Sequence, residues 1–374
     1  MRLIPAALRR RTAPASDAAR RLIFHVGDNK TGSTSIQNAL AMGRVTTPGT
    51  TLIYPIRDDQ LNHNHLRPQV EKGGAQDRLE WVRSQMDAHD AGLCILSGEV
   101  FEATPPRQLR AAIDTHLAGW ADEIRIIAYV RPHAARLLSS YAEQIKIGWY
   151  RKGLDEFIAR ALDNPRFHYA DRFGKWRRVF GDAFELRPMI RERLRNGSVI
   201  DDFLGAALGD APFEIGPGAA DNESLTLHEL MVMRVVQDKL AHMAKGQRHA
   251  VGWELARLLG KARPAGRQDK LRLPRDLAER IAARFADDAA AVDAAFFGGE
   301  DVLRAELARA VRDAPAERQS VEPGDHLAPG ERAAVEALAE LASELMSDGG
   351  DWRARLRGFR IAALREGSGV RDGV

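Results

Sequence analysis

The chain has a single cysteine, Cys94, among 374 residues. No internal disulfide can form and no cysteine-rich metal centre can be built; inside the apolar run "LCIL" the residue reads as a small core side chain. Long hydrophobic runs are missing too, since nothing approaches the roughly 18 continuous apolar residues of a membrane span. The opening "MRLIPAALRRR" has its short apolar stretch broken by Pro5, with arginines after it rather than before it, unlike a secretory signal. The expectation is a soluble, cytoplasmic protein without stable membrane insertion. A basic flexible tail is expected over residues 1–20, with Arg9, Arg10 and Arg11 offering no more than a weak electrostatic membrane contact. A large charge excess is also lacking. With 55 Lys+Arg against 52 Asp+Glu, a formal charge of +3 does not imply a nucleic-acid surface, so no nucleic-acid partner is expected.

Apolar residues, at 44%, are plentiful enough to bury one large core or two smaller ones. Four short runs, "LIFHV" (22–26), "LCILS" (93–97), "IRIIAYV" (124–130) and "FELRPMI" (184–190), are continuous rather than alternating. Helix-length sequence separates them, as in a parallel sheet covered on both faces. "HAARLLSSYAEQIKIG" places Leu137, Leu138, Tyr141 and Ile145 at helical spacing between the third and fourth. The expected fold is α/β: a P-loop-type parallel sheet flanked by helices, with a helical C-terminal region. From about residue 224 strand signals stop. Leu277, Ile281, Phe285, Val292 and Phe296 then fall on one helical stripe, and Val335, Leu338, Leu341 and Leu345 on another, both predicted to pack. The division expected is a tail (1–20), an α/β domain with helical additions (21–300) and a helical extension (301–374).

"HVGDNKTGSTSIQNAL" follows the first strand. Gly27 and Gly32 have the spacing of a Walker A loop and Thr34 its hydroxyl, but Ser33 stands at the lysine position and Lys30 lies three residues earlier. Glycines between a strand and a helix N-terminus still make an anion site. The displaced lysine, and the lack of an aspartate closing an apolar run, count against magnesium-bound triphosphate.

This loop resembles the 5′-phosphosulfate loop of the sulfotransferase family, in which Lys-x-Gly-[ST]-[ST] follows the first strand. A second stretch, "YVRPHAARLLSSY", resembles the family's 3′-phosphate site: Arg131 where an apolar strand stops and Ser139 eight residues on, with Arg136 and Tyr141 matching further positions. A third, "FHYADRFGKWRRVFGDAFELRPMIRERL", resembles a later segment through Tyr169, Phe173, Trp176 and Phe180. The resemblance covers residues 22–206, is closer to glycan-modifying members than to cytosolic small-molecule ones, and leaves a late nucleotide-covering loop unplaced. It implies the donor 3′-phosphoadenosine 5′-phosphosulfate, with adenosine 3′,5′-bisphosphate as product and no metal. It further implies Lys30 at the bridging oxygen, Thr31, Gly32, Ser33 and Thr34 around the 5′-phosphate, and Arg131 and Ser139 at the 3′-phosphate.

The acceptor is expected to be a hydroxyl on a carbohydrate, a lipid-linked glycan or a small molecule. Sulfuryl transfer to it needs a base. Glu99, just past the second strand, is the first candidate; some glycan-modifying members carry a glutamate there, in a Glu-Lys-[ST]-Pro context that "SGEVFEATPP" matches only in part. His63 or His65 is the alternative base, and a salt-bridged or capping Glu99 without chemistry also stands. The two histidines lack the further ligands a metal site needs. The arginines at 177, 178, 187, 191, 193 and 195 read as solvated surface or as a rim for anions. A kinase or NTPase, and a catalytically inactive nucleotide-binding protein, are the competing functions; self-association through the helical region is a further expectation.

Overall fold

The computed structural model describes residues 19–72, 76–89, 92–117, 119–217, 224–264, 269–347 and 350–366. The expected tail, apart from its last two residues, lies outside them. In chain order the strands are β1 (Arg21–His25), β2 (Val45–Thr46), β3 (Leu52–Ile53), β4 (Leu93–Ser97), β5 (Glu123–Val130), β6 (Phe184–Pro188) and β7 (Glu214–Ile215). The helices that matter here begin with α1 (Ser33–Ala41), α2 (Arg67–Lys72), α3 (Gln76–Ala88) and α4 (Pro106–Ala112). They continue with α5 (His133–Lys146), α6 (Leu154–Leu162), α7 (Tyr169–Phe180), α8 (Val199–Leu208) and α9 (Leu227–Lys239). The last five are α10 (Lys245–Ala262), α11 (Arg275–Phe296), α12 (Leu303–Arg312), α13 (Pro329–Met346) and α14 (Trp352–Glu366).

Five strands form one all-parallel sheet in the order β3-β4-β1-β5-β6. The apolar runs are unbroken because successive side chains enter two different cores. Leu22 and Phe24 of β1, with Cys94, Leu96, Ile126 and Ala128, face α4, α5, α7 and α11. Ile23, with Ile95, Ile127 and Tyr129, faces Ile36 and Leu40 of α1 and Phe203 and Leu204 of α8. Cys94 is buried, and burial pushes its thiol well above the usual range. The fifth strand, β3, is two residues long, too short for its apolar pattern to stand out in sequence; β2 and β7 pair antiparallel beside the main sheet.

Parallel strands end on one edge. Gly27–Lys30 after β1, Gly98–Glu99 after β4 and Arg131 after β5 therefore converge, on the edge where open α/β sheets bind ligands. Beneath it, Tyr169, Phe173, Trp176 and Phe180 form the buried stripe of α7. They are core residues.

The helical region starts with a capping box: the Thr226 hydroxyl accepts from the Glu229 N–H while the Glu229 carboxylate accepts from the Thr226 N–H. α11 buries Leu277, Ile281, Phe285 and Val292 as its spacing predicts. α13 departs from expectation. Ala339, Ser343 and Met346 are buried and Val335 packs beside them, whereas Leu338, Leu341 and Leu345 are 67%, 52% and 57% exposed. The close approach of α9 favours the small-residue face, leaving the leucines outward.

Candidate active site

The loop after β1 is built on two left-handed glycines and one left-handed lysine: φ is 73° at Gly27, 67° at Lys30 and 79° at Gly32. A Cβ on Gly27 would stand 2.6 Å from the Glu99 Cα, so only glycine lets the loop lie against the turn after β4. Lys30 has a side chain and bears the strain, of order 1–3 kcal/mol for a non-glycine residue in this region. What holds it there is Arg131, whose Nη1 donates to the Lys30 carbonyl at 3.0 Å.

Gly32 starts α1 without a side-chain cap. Thr31 and Ser33 turn their hydroxyls inward, donating to the Asp28 carbonyl at 2.5 and 3.5 Å, so they stiffen the loop and present only backbone to a ligand. Thr34, partly exposed in the first turn, has no hydroxyl partner among the described residues. The uncapped helix N-terminus favours an anion.

An aspartate inside an anion-binding loop would repel its ligand unless neutralised. Asp28 is fully buried, and Arg136 and Arg172 each donate to one of its oxygens at 2.8 Å. Burial alone would raise its carboxyl, but the two guanidinium groups outweigh that and hold it well below the usual carboxylate range. Glu102 joins from the far side, accepting from the Asn29 N–H at 3.0 Å and from Arg166, with its carboxyl raised by burial and then by the Asp28 charge. Arg136 thus braces the loop from below.

Arg131 itself is partly buried at the end of β5. Its Nη1 also donates to Ser139 Oγ at 3.3 Å, and its own carbonyl accepts from the Tyr169 hydroxyl at 3.0 Å. The structure thus brings Arg131, Ser139 and Lys30 together across a hundred residues of chain. Ser139 lies on a stripe of α5 that continues four and seven residues later as Glu143 and Lys146. Glu143 Oε2 accepts from Lys30 Nζ at 2.9 Å and Lys146 Nζ at 2.7 Å. Burial would raise the Glu143 carboxyl, yet the two lysines bring it down to about 2. Burial lowers Lys146 to about 8 despite Glu143.

Glu99 stands next to this triad. Burial raises its carboxyl, with the Glu143 charge adding and Lys30 opposing, and it forms no hydrogen bond or ion pair among the described residues. A free carboxylate beside two lysines has the makings of a base. His63 does not: its Nδ1 accepts from the Ser97 N–H at 3.0 Å and its Nε2 donates to the Pro55 carbonyl at 2.9 Å. With both nitrogens bonded to backbone and burial lowering the ring to about 3, His63 is held as a framework residue, which favours Glu99 over it as the base. His65 is lowered by burial and then by Arg78, and packs 6.1 Å from the His63 ring on the β3 side. His25 is a core residue bonded to Ser97 Oγ at 2.8 Å.

No family model and no curated protein matches the chain. Its fold is similar to a crystal structure of a sulfotransferase from Alicyclobacillus acidocaldarius. The likeness covers 74% of this chain and 95% of that one, at 14% identity and a TM-score of 0.37. At that depth it carries nothing about substrate, which is left to the loop and its neighbours.

Three participants were absent from the sequence reading: Glu143, Lys146 and the Asp28–Arg172 pair. The first two were accessible, because a helix that aims Ser139 at the loop aims its fourth and seventh successors there too. Arg172 was not, being 144 residues from Asp28. Of the arginine run near β6, Arg177 pairs with Asp182 and Arg193 with Glu300 at the surface, whereas Arg187 holds the buried Asp202 carboxylate, which also accepts from the Tyr129 hydroxyl. Among the described residues no cluster could hold a metal ion, and no helix is long and apolar enough to cross a membrane.

Proposed function

We propose that the chain is a sulfotransferase, moving a sulfuryl group from 3′-phosphoadenosine 5′-phosphosulfate to an acceptor hydroxyl, on a carbohydrate or glycolipid. The observation that carries the reading is the bond from Arg131 to the Lys30 carbonyl, with Ser139 on the same guanidinium group. One side chain ties a glycine loop suited to one anion to an Arg–Ser pair suited to a second. A donor with a 5′-phosphosulfate and a separate 3′-phosphate needs that pairing, and ATP does not. The residues fit the donor: an uncapped helix start, the Thr34 hydroxyl and two lysines meet one end, and a planar fork meets the other.

In this reading the donor supplies an activated sulfuryl group. Glu99 accepts the acceptor hydroxyl's proton as that oxygen bonds to sulfur. Lys30 stabilises the charge that gathers on the bridging oxygen as the old S–O bond breaks with its electron pair. Glu143 holds Lys30 at the mouth of the loop, and Lys146 keeps the neighbourhood positive when Lys30 reaches forward. Labelled sulfate from the donor should appear on a carbohydrate acceptor and vanish in Lys30→Ala; transfer undiminished in that variant would sink the proposal.

A further inference from the structure

The late helices bring a second set of groups to the Lys146 side of this site. Lys146 Nζ lies 3.5 Å from the centroid of the Trp253 ring of α10, and Arg360 of α14 has its Cζ 5.3 Å from that same centroid. One helical turn before Trp253, His249 stands 6.3 Å from it and 6.3 Å from Trp149, which is 51% exposed. Arg353 lies along α10 as well, 3.7 Å from where a Gly246 Cβ would be.

Arg353, Arg357 and Arg360 are four and then three residues apart, so they share one face of α14. None of the three forms an ion pair with a carboxylate among the described residues, and the only carboxylate charge acting on Arg360 is that of Glu254. Other exposed arginines are ion-paired, as Arg309 is with Glu192 and Glu306, and Arg332 with Glu336. Three like charges on one stripe repel one another. Burial lowers Arg360 and Arg357 lowers it further, with Glu254 opposing; His249 is lowered by burial, with Glu143 opposing and Lys146, Arg360 and Arg353 adding. The same charges therefore reach from the α14 stripe through His249 to the Glu143–Lys146 pair.

We propose that the surface formed by Trp149, His249 and the arginine stripe of α14 is the acceptor subsite, and that the acceptor is an anionic carbohydrate. Sugar C–H faces pack on the open Trp149 ring with His249 half-buried beside it, carboxylates or sulfates of neighbouring units meet the guanidinium forks, and the reactive hydroxyl points past Lys146 toward Glu99. The hydroxyl's fate rests on the sulfotransferase reading; the binding does not.

The two are separable by calorimetry on the full chain. Hyaluronan tetrasaccharide should bind, more weakly as salt rises, while neutral maltotetraose should not. Arg353→Ser/Arg357→Ser/Arg360→Ser should weaken the tetrasaccharide at least about tenfold, and Trp149→Ala should weaken it without changing its salt dependence. Should the triple variant fail to fold, Arg357→Ser, at an exposed position, should still cost about threefold. Equal binding of charged and neutral sugars, tetrasaccharide binding that the arginine variants leave intact, or capture by phosphatidylglycerol vesicles in place of the tetrasaccharide would each overturn the proposal. Adenosine 3′,5′-bisphosphate titrated into the wild type reports on the donor reading alone, so either can fail while the other stands.

Discussion

In the proposed reaction the residue that sets the character of the site is Glu99, a carboxylate with no partner among the described residues beside the paired Lys30, Glu143 and Lys146. A base must be ionised to act, so turnover should fall as pH drops through its pKa. Burial and Glu143 move that pKa above the usual carboxylate range, and the acid limb of the pH–rate profile should move up with it. In Glu99→Gln turnover should drop about a hundredfold or more and the limb should disappear, with bisphosphate affinity kept. A limb that persists in the glutamine variant would mean that another group takes the proton. At this scale the resemblance picked out Lys30, Arg131 and Ser139, three residues that meet in the structure. Sequence was least informative for the charges that balance one another underneath. Nothing local tells that Asp28 is neutralised by Arg136 and Arg172, or that both nitrogens of His63 are bonded to backbone.

Among elements, the loop between β1 and α1 is held by shape as much as by charge. Gly27→Ala would add a methyl group against the Glu99 backbone at a residue already in the left-handed region. The substitution should cost about 1–3 kcal/mol, and because the loop and the turn bearing Glu99 must part to accept it, bisphosphate affinity and turnover should fall together. Unchanged affinity with normal turnover would show that the contact is slack. The four long strands were legible because a strand buried on both faces has no alternation to disguise it. β3, with two residues, was below the length at which a pattern exists. α13 was misread for a different reason: a heptad-like leucine stripe marks an apolar face but not which of two apolar faces meets the neighbour, and here the alanine side packs closer.

At the scale of the whole molecule, a parallel sheet collects the ends of β1, β4 and β5 on one edge, and the later helices close over one side of it. Their core is partly shared with the sheet, since Leu303 and Leu307 of α12 lie in the cluster that includes Leu22 and Phe24 of β1. α10 instead leans on α5 at the end that carries Lys146, and α14 packs on α10, which places both beside the proposed site. Donor recognition comes before any acceptor in this scheme. The decisive measurement is a calorimetric titration of adenosine 3′,5′-bisphosphate, set beside ATP with magnesium, into the wild type and Arg131→Ala. A sulfotransferase should bind the bisphosphate in preference to ATP and lose about ten- to a hundredfold in affinity when Arg131 is removed. Preference for ATP with magnesium, or bisphosphate binding indifferent to Arg131, would contradict it.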